Sequence, residues 1–233
     1  MKRLSIVIPA YNEERFIGTL LERIRAVDLR PHGLEKEIIV IDDCSKDGTV
    51  DAVSRFADVV LCRHERNGGK GRAVRTGIER ATGEYLMIQD ADLEYDPQDY
   101  IPMVEVLLSG RADVVYGSRY TRGIVGSKHA HQSWPAYLGG RSLSIAALMC
   151  TGRYLTDTVT ALKLFPRALL LELNLQTRGF ELDHEITAKV LARGRRIVEV
   201  PIQYFPRSRE EGKKIGAKDW VSGLRTFWTY RRG

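Results

Sequence analysis

The chain has 233 residues, 43% hydrophobic and 28% charged, the composition of a globular protein with a substantial core rather than of a disordered or fibrous one. Its formal charge of +6 is concentrated at the end. From Phe205 onward eight Lys/Arg stand against three Asp/Glu, leaving about +1 for the first 204 residues, and this excludes a domain-wide nucleic-acid-binding surface.

The N-terminal run MKRLSIVIPAYNEE carries a strand over Leu4–Ile8 ended by Pro9, too short an apolar stretch for a signal peptide. A helix is predicted over Glu13–Val27, with Phe16, Ile17, Leu20, Leu21 and Ile24 at helical spacing. Strand Glu37–Ile41 ends in Asp42 and Asp43; a short helix Thr49–Phe56 and strand Asp58–Cys62 follow. A helix over Gly68–Ala81 is opened by Asn67-Gly68-Gly69. Next come strand Glu84–Gln89, helix Pro97–Leu108 and strand Ala112–Tyr116. Strands alternating with helices predict an α/β fold, a mostly parallel sheet covered on both faces.

The second half is less regular. Thr121–Ser133 reads as a polar loop, Pro135–Cys150 as an apolar helix and Leu162–Phe165 as a short strand. Gly179–Ala192 begins with acids, as a helix N-terminus favours. Arg196–Phe205 is extended, and Pro201 within it predicts an edge or a bent strand. No apolar run reaches the ~20 residues of a membrane span. The domain is expected over 1–215. The segment 216–233 is expected to be an amphipathic helix with Trp220, Val221, Leu224, Phe227 and Trp228 on one face, lying on a membrane surface, the alternative being that this face packs on the protein's own core. Cys44, Cys62 and Cys150 are odd in number and lack metal spacing, which suits reduced thiols in the cytoplasm.

The chemistry points to the strand end at Asp90-Ala91-Asp92-Leu93-Glu94. Side chains in extended backbone repeat every two residues, so Asp90, Asp92 and Glu94 just past the strand's end point the same way and converge, and such carboxylates need a cation. Hard oxygen donors suit Mg²⁺ or Mn²⁺. The carboxyl end of a strand is where open α/β sheets bind ligands. Two look-alike motifs fail. Asp43–Gly48 resembles a calcium loop but has Ser54 where a bidentate Glu belongs, and Lys70 of the Walker-like Gly-Gly-Lys-Gly run is followed by Gly71, not Ser/Thr. His129 and His131 lack a third metal ligand nearby.

Taken in order, Pro9-Ala10-Tyr11-Asn12-Glu13, Asp42-Asp43-x-Ser45-x-Asp47-Gly48-Thr49, Asn67-x-Gly69-Lys70-Gly71 and Asp90-Ala91-Asp92 resemble the family 2 inverting glycosyltransferases. Gly117-Ser118-Arg119-Tyr120 and the late Pro206-Arg207…Glu211-Gly212-Lys213-Lys214 resemble their dolichol-phosphate mannose synthase branch. The resemblance spans about 1–220. It implies a GT-A fold, a nucleotide-sugar donor, a polyprenyl-phosphate acceptor and a peripheral place on the cytoplasmic face of a membrane. It implies that Pro9, Tyr11, Glu13, Ile41, Asp43, Lys70, Asp90, Ala91, Asp92, Arg207 and Lys213 line the donor site, and that Asp90, Asp92 and Glu94 hold Mg²⁺ or Mn²⁺. Arg119 and Arg207 would act at the reacting phosphates beside Asp92. Glu94 departs from a Gln common in the branch. Donor identity stays open among GDP-mannose, UDP-glucose and UDP-N-acetylglucosamine, because the base pocket is built largely from backbone. If the acceptor were a sugar hydroxyl, Asp183 or Glu185 could supply the general base, Asp183 being the first candidate. A non-catalytic binding protein is the remote alternative, and the acid cluster argues against it.

Overall fold

The computed structural model describes residues 1–121, 134–207 and 217–232. The elements run β1 (Lys2–Ala10), α1 (Ile17–Ala26), β2 (Leu34–Asp42), α2 (Thr49–Ser54), β3 (Val59–Arg63), α3 (Lys70–Arg80), β4 (Tyr85–Ile88), α4 (Tyr100–Leu108), β5 (Val114–Ser118), α5 (Trp134–Thr151), β6 (Lys163–Pro166), α6 (Arg167–Glu172), α7 (Leu182–Ala192), β7 (Ile197–Pro201) and α8 (Ala217–Tyr230). The strands form one sheet in the order β3-β2-β1-β4-β6-β5-β7. All neighbouring pairs are parallel except those of β6, which runs against both β4 and β5. Pro201 closes β7 at the sheet's edge, the position its missing N–H requires.

Alternation along the central strands builds two core layers. Leu4, Ile6 and Ile8 of β1, with Ile38 and Val40 of β2, pack under α1 and α4. Val7, Ile39, Ile41, Leu86 and Ile88 pack on the opposite face under α3, α6 and α7. Strands buried on both faces are apolar at nearly every position, Ser5 of β1 and Lys163 of β6 excepted, which is why they read as near-continuous apolar runs. Helix α3 lies so close to β1 that a Cβ at Gly77 would stand 2.2 Å from Val7 Cγ1, so only glycine fits there. The short α6 carried no signal of its own: its six residues follow Pro166 directly and its Leu169 and Leu170 are buried in the α3 layer.

A third, smaller cluster joins α5, α7 and α8 through Leu143, Ala147, Ala188 and Phe227. The apolar face expected for α8 is divided. Phe227 is fully buried and Leu224 half-buried, whereas Val221 is 58% and Trp228 63% exposed. Trp220 donates its indole N–H to Ser142 Oγ of α5 at 2.8 Å. The expected boundary near 215 and the loop Thr121–Ser133, from 122 on, fall outside the described residues.

One buried acid makes a pH-dependent contribution to stability. Asp99 accepts the Gln203 N–H at 2.8 Å, and burial, with Asp96 adding repulsion, pushes its carboxyl up to about 7. Its unfolded value is about 3.9, so the folded state binds more protons between those limits. Stability from this group falls as pH rises from about 4 to about 7. Asp99→Asn keeps an oxygen for Gln203 and removes the charge. Its melting temperature should exceed that of the parent by a margin that grows over this interval and is flat above it; a margin independent of pH would refute the assignment.

Candidate active site

The carboxyl ends of β1, β2 and β4 lie side by side, with Pro9 opposite Ile41 and Ala10 opposite Asp42. Just past them the chain turns through left-handed backbone at Asn12 (φ 56°), Cys44 (φ 67°) and Leu93 (φ 60°). Non-glycine residues in that region are uncommon and concentrate at functional sites. Together these three turns bring Glu13, Asp43 and Asp92 to the same end of the sheet.

The turn at Leu93 corrects the expected arrangement of acids. The segment after β4 is not extended but turns, and Asp92 Oδ1 accepts the Glu94 N–H at 3.2 Å; the acids stay near one another, but each is engaged by a basic side chain. Asp90 Oδ1 instead lies 2.8 Å from Lys70 Nζ. Asp92 Oδ2 lies 2.9 Å from an Arg207 nitrogen, whose other terminal nitrogen is 3.0 Å from Glu13 Oε2. Glu94 has both oxygens engaged, one by the Tyr204 hydroxyl and one by the Arg207 backbone N–H, each at 2.8 Å. Among the described residues no three His, Cys, Asp or Glu side chains meet at metal-ligating separation. Asp90 and Asp92 nevertheless suit a divalent ion: both offer hard oxygens, and burial, reinforced by Asp90 and Glu94, pushes the Asp92 carboxyl up to about 7. That excess of negative charge is what a cation relieves. Glu94 fits a supporting place, holding Tyr204 and Arg207.

Asp43 serves the fold of the site rather than pointing free into it. Its carboxylate accepts the N–H groups of Gly68 and Gly69, at 2.9 and 2.7 Å, and contacts His64 Nδ1 at 2.7 Å. It thus fixes the loop that starts α3. Gly69 sits at φ 87°, and a Cβ at Gly71 would meet Arg178 carbonyl carbon and Thr177 oxygen at 2.8 Å. The glycines therefore let α3 press against the segment before α7 and carry Lys70 to Asp183. Ile41 and Ala91 are buried in the two core layers, and Pro9 and Tyr11 are half-buried. Lys213 lies outside the described residues.

Two further networks were not legible in the chain. Asp183 bridges two lysines, with Lys163 Nζ at 2.5 Å and Lys70 Nζ at 3.4 Å. Burial works against its charge, but the two ammonium groups outweigh that and hold its carboxyl below the usual range. Lys163, fully buried in β6, also donates to the Thr160 carbonyl. A lone lysine inside the apolar run Leu162–Phe165 was the available signal, since buried charges are paired. Arg119 is clamped by Asp157 through two side-chain bonds of 2.6 and 2.7 Å and lies over the Tyr204 ring at 4.9 Å. Asp157 is itself set by Glu199 of β7, which accepts its backbone N–H at 2.8 Å. Glu185, by contrast, is structural: it accepts the N–H groups of Gln176 and Thr177 and pairs with Lys189.

Acids paired with the Lys70 and Arg207 side chains gather at the strand ends, and the sequence profile described as glycosyl transferase family 2 matches residues 5–171. The chain belongs to glycosyl transferase family 2. This family 2 chain is 29% identical over 224 residues to a dolichol-phosphate mannosyltransferase of Pyrococcus furiosus, a match covering 92% of the chain but only 60% of that relative. It is 26% identical over 237 residues to a UDP-N-acetylglucosamine–dolichyl-phosphate N-acetylglucosaminyltransferase of Methanococcus voltae, covering 92% and 91% of the two. Among solved structures, glucosyl-3-phosphoglycerate synthase from Mycobacterium tuberculosis, crystallised with Mn²⁺, UDP and phosphoglyceric acid, superposes with a TM-score of 0.70 at 20% identity, covering 99% of the chain and 78% of that structure. The sheet and its two helix layers are thus of the GT-A type expected.

Proposed function

We propose that this family 2 chain transfers a sugar from a nucleotide-sugar to a polyprenyl phosphate, with inversion at the anomeric carbon. The state of Asp183 carries the reading. A sugar-hydroxyl acceptor needs a carboxylate base free to take its proton. Asp183 is instead held between Lys163 and Lys70, which depress its pKa and occupy its oxygens. A lipid phosphate is already anionic near neutral pH and needs positioning by cations more than deprotonation. The names of the Pyrococcus and Methanococcus relatives agree with such an acceptor.

In the reaction the acceptor's phosphate oxygen forms the new bond to the anomeric carbon as the bond to the nucleoside diphosphate breaks. Glu13 and the backbone around Pro9 and Ile41 orient the base and ribose, Asp43 keeps the Gly68–Gly69 loop in place, and Lys70 and Arg207 face the phosphates. Arg119, rigid in its Asp157 clamp, presents a fixed positive charge. Asp90 and Asp92 would hold Mg²⁺ or Mn²⁺, which neutralises charge on the departing diphosphate when bound. Release of GDP or UDP from sugar nucleotides that depends on added short-chain polyprenyl phosphate tests this directly. Equal release with a sugar-hydroxyl acceptor would favour the general-base alternative.

The same reading places the α5–α8 pair on a membrane surface. No helix among the described residues is long and apolar enough to span. Leu138, Ile145, Leu148 and Met149 of α5 and Trp220, Val221 and Trp228 of α8 are exposed, with the exposed bases Lys218 and Arg225 beside them. Exposed tryptophan among basic residues suits the headgroup region, where each nearby Lys/Arg adds roughly 1 kcal/mol with anionic lipid. Val221→Ser with Trp228→Ser, which leaves buried Phe227 in place, should release the protein from anionic liposomes in a sedimentation assay. Sedimentation equal to the parent's would remove α8 as the anchor.

A further inference from the structure

Arg207 stands where a cation is required. One terminal nitrogen lies 2.9 Å from Asp92 Oδ2 and the other 3.0 Å from Glu13 Oε2, while its backbone N–H is held at 2.8 Å by Glu94. Its guanidinium lies over the Phe16 ring, 5.3 Å from the centroid. The side chains of Arg207, Glu13, Asp92 and Glu94 are all 8–12% exposed, so these charges are largely removed from water. Removing a cation from such a group would leave acids from two separate segments, the β1 and β4 ends, facing one another.

From this geometry we infer that Arg207 is an internal counter-ion that competes with the divalent metal for Asp92, so that metal enters with the donor and not before it. The inference rests on the proposed donor site and concerns the order in which it is filled. A divalent ion on Asp92 and a guanidinium on the same carboxylate repel each other, and in a site shielded from water that repulsion is poorly screened. A nucleoside diphosphate changes the balance. Its phosphate oxygens attract the guanidinium away from Asp92 and at the same time provide the remaining metal ligands, as is usual where Mg²⁺ is held by one or two carboxylates plus substrate phosphates. Glu94 tethers the Arg207 backbone, so that the side chain swings while its base stays fixed. Arg207 therefore has two stations, Asp92 when the donor is absent and the diphosphate when it is present.

The consequence runs opposite to that for an ordinary binding residue. Arg207→Gln should bind Mn²⁺ alone more tightly than the parent, by tenfold or more if about 1.4 kcal/mol of repulsion is relieved. In saturating Mn²⁺ the same variant should bind GDP or UDP more weakly. Arg207→Lys, which keeps a cation, should stay near the parent in the first measurement and controls for the change of side chain. Free Mn²⁺ is read by electron paramagnetic resonance during titration of each protein without nucleotide, after melting curves show that the variants are folded. A gain for Gln and not for Lys is the expected result. Mn²⁺ affinity in Arg207→Gln that equals or falls below the parent's overturns the inference, whatever happens to activity. Failure of the functional reading would look different: neither GDP nor UDP would bind the parent protein, while the nucleotide-free Mn²⁺ comparison would still decide the place of Arg207.

Discussion

Asp92→Asn should lose transfer by a factor on the order of 10³ while melting close to the parent temperature. The asparagine oxygen still accepts the Glu94 N–H, so the turn at Leu93 survives, and Arg207 retains Glu13 and the Glu94 backbone tether. What disappears is one charged oxygen ligand at the diphosphate. Metal neutralisation of a leaving group is worth several kcal/mol, and about 4 kcal/mol corresponds to the stated factor. The companion measurement is the thermal shift produced by GDP or UDP: its Mn²⁺-dependent part should vanish in the variant, since a ligand that binds only the folded state raises the melting temperature. Undiminished transfer by Asp92→Asn in the presence of chelator would exclude a metal-bearing role for this residue.

Asp183→Asn should fail for a different reason, by losing the fold's tolerance of Lys163. Lys163 Nζ is fully buried, with Asp183 at 2.5 Å and the Thr160 carbonyl as partners. Breaking a buried pair by removing one member leaves an uncompensated charge and costs about 3–5 kcal/mol. In a chain of this length that is a drop of roughly 10 °C in melting temperature. Burial already pulls the Lys163 pKa below its ordinary value against the pull of Asp183. Without Asp183 the lysine is driven further towards its neutral form, so the loss should shrink as pH rises. Asp183→Asn combined with Lys163→Met removes both charges and should recover most of the stability, because a buried ion pair is often replaceable by apolar groups. A variant that melts like the parent but has lost its rate would instead mark Asp183 as a general base and revive the hydroxyl-acceptor alternative.

These two residues also mark the limits of reading the chain alone. Asp92 stood out because it follows a hydrophobic strand, a local signal. Asp183 is legible as an acid at a helix start, but its partners are not: Lys163 and Lys70 are 20 and 113 residues away along the chain. In the sequence Gly69 marks a helix start and Gly71 a broken phosphate-loop motif, whereas in the fold both accommodate the backbone of Thr177 and Arg178. Tyr204 and Asp157 had no motif to announce them, and each acquires a role by touching Glu94 or Arg119.

What the sequence by itself determined is whatever repeats within a few residues. Alternating strands and helices, the confinement of the Pro201 strand to an edge or a bend, and the candidate strand-end acids all follow from local sterics and periodicity. Only the tertiary structure decided which acid faces which cation. The left-handed residue at Leu93 turns the chain where period-two alternation was expected, sending Asp90 to Lys70 and Asp92 to Arg207. It also divided the face of α8, since Phe227 found a partner in α5 and α7 while Trp228 did not. Charge pairing and burial are settled by what distant segments bring into contact, and that information is carried by the folded sheet rather than by any single stretch of chain.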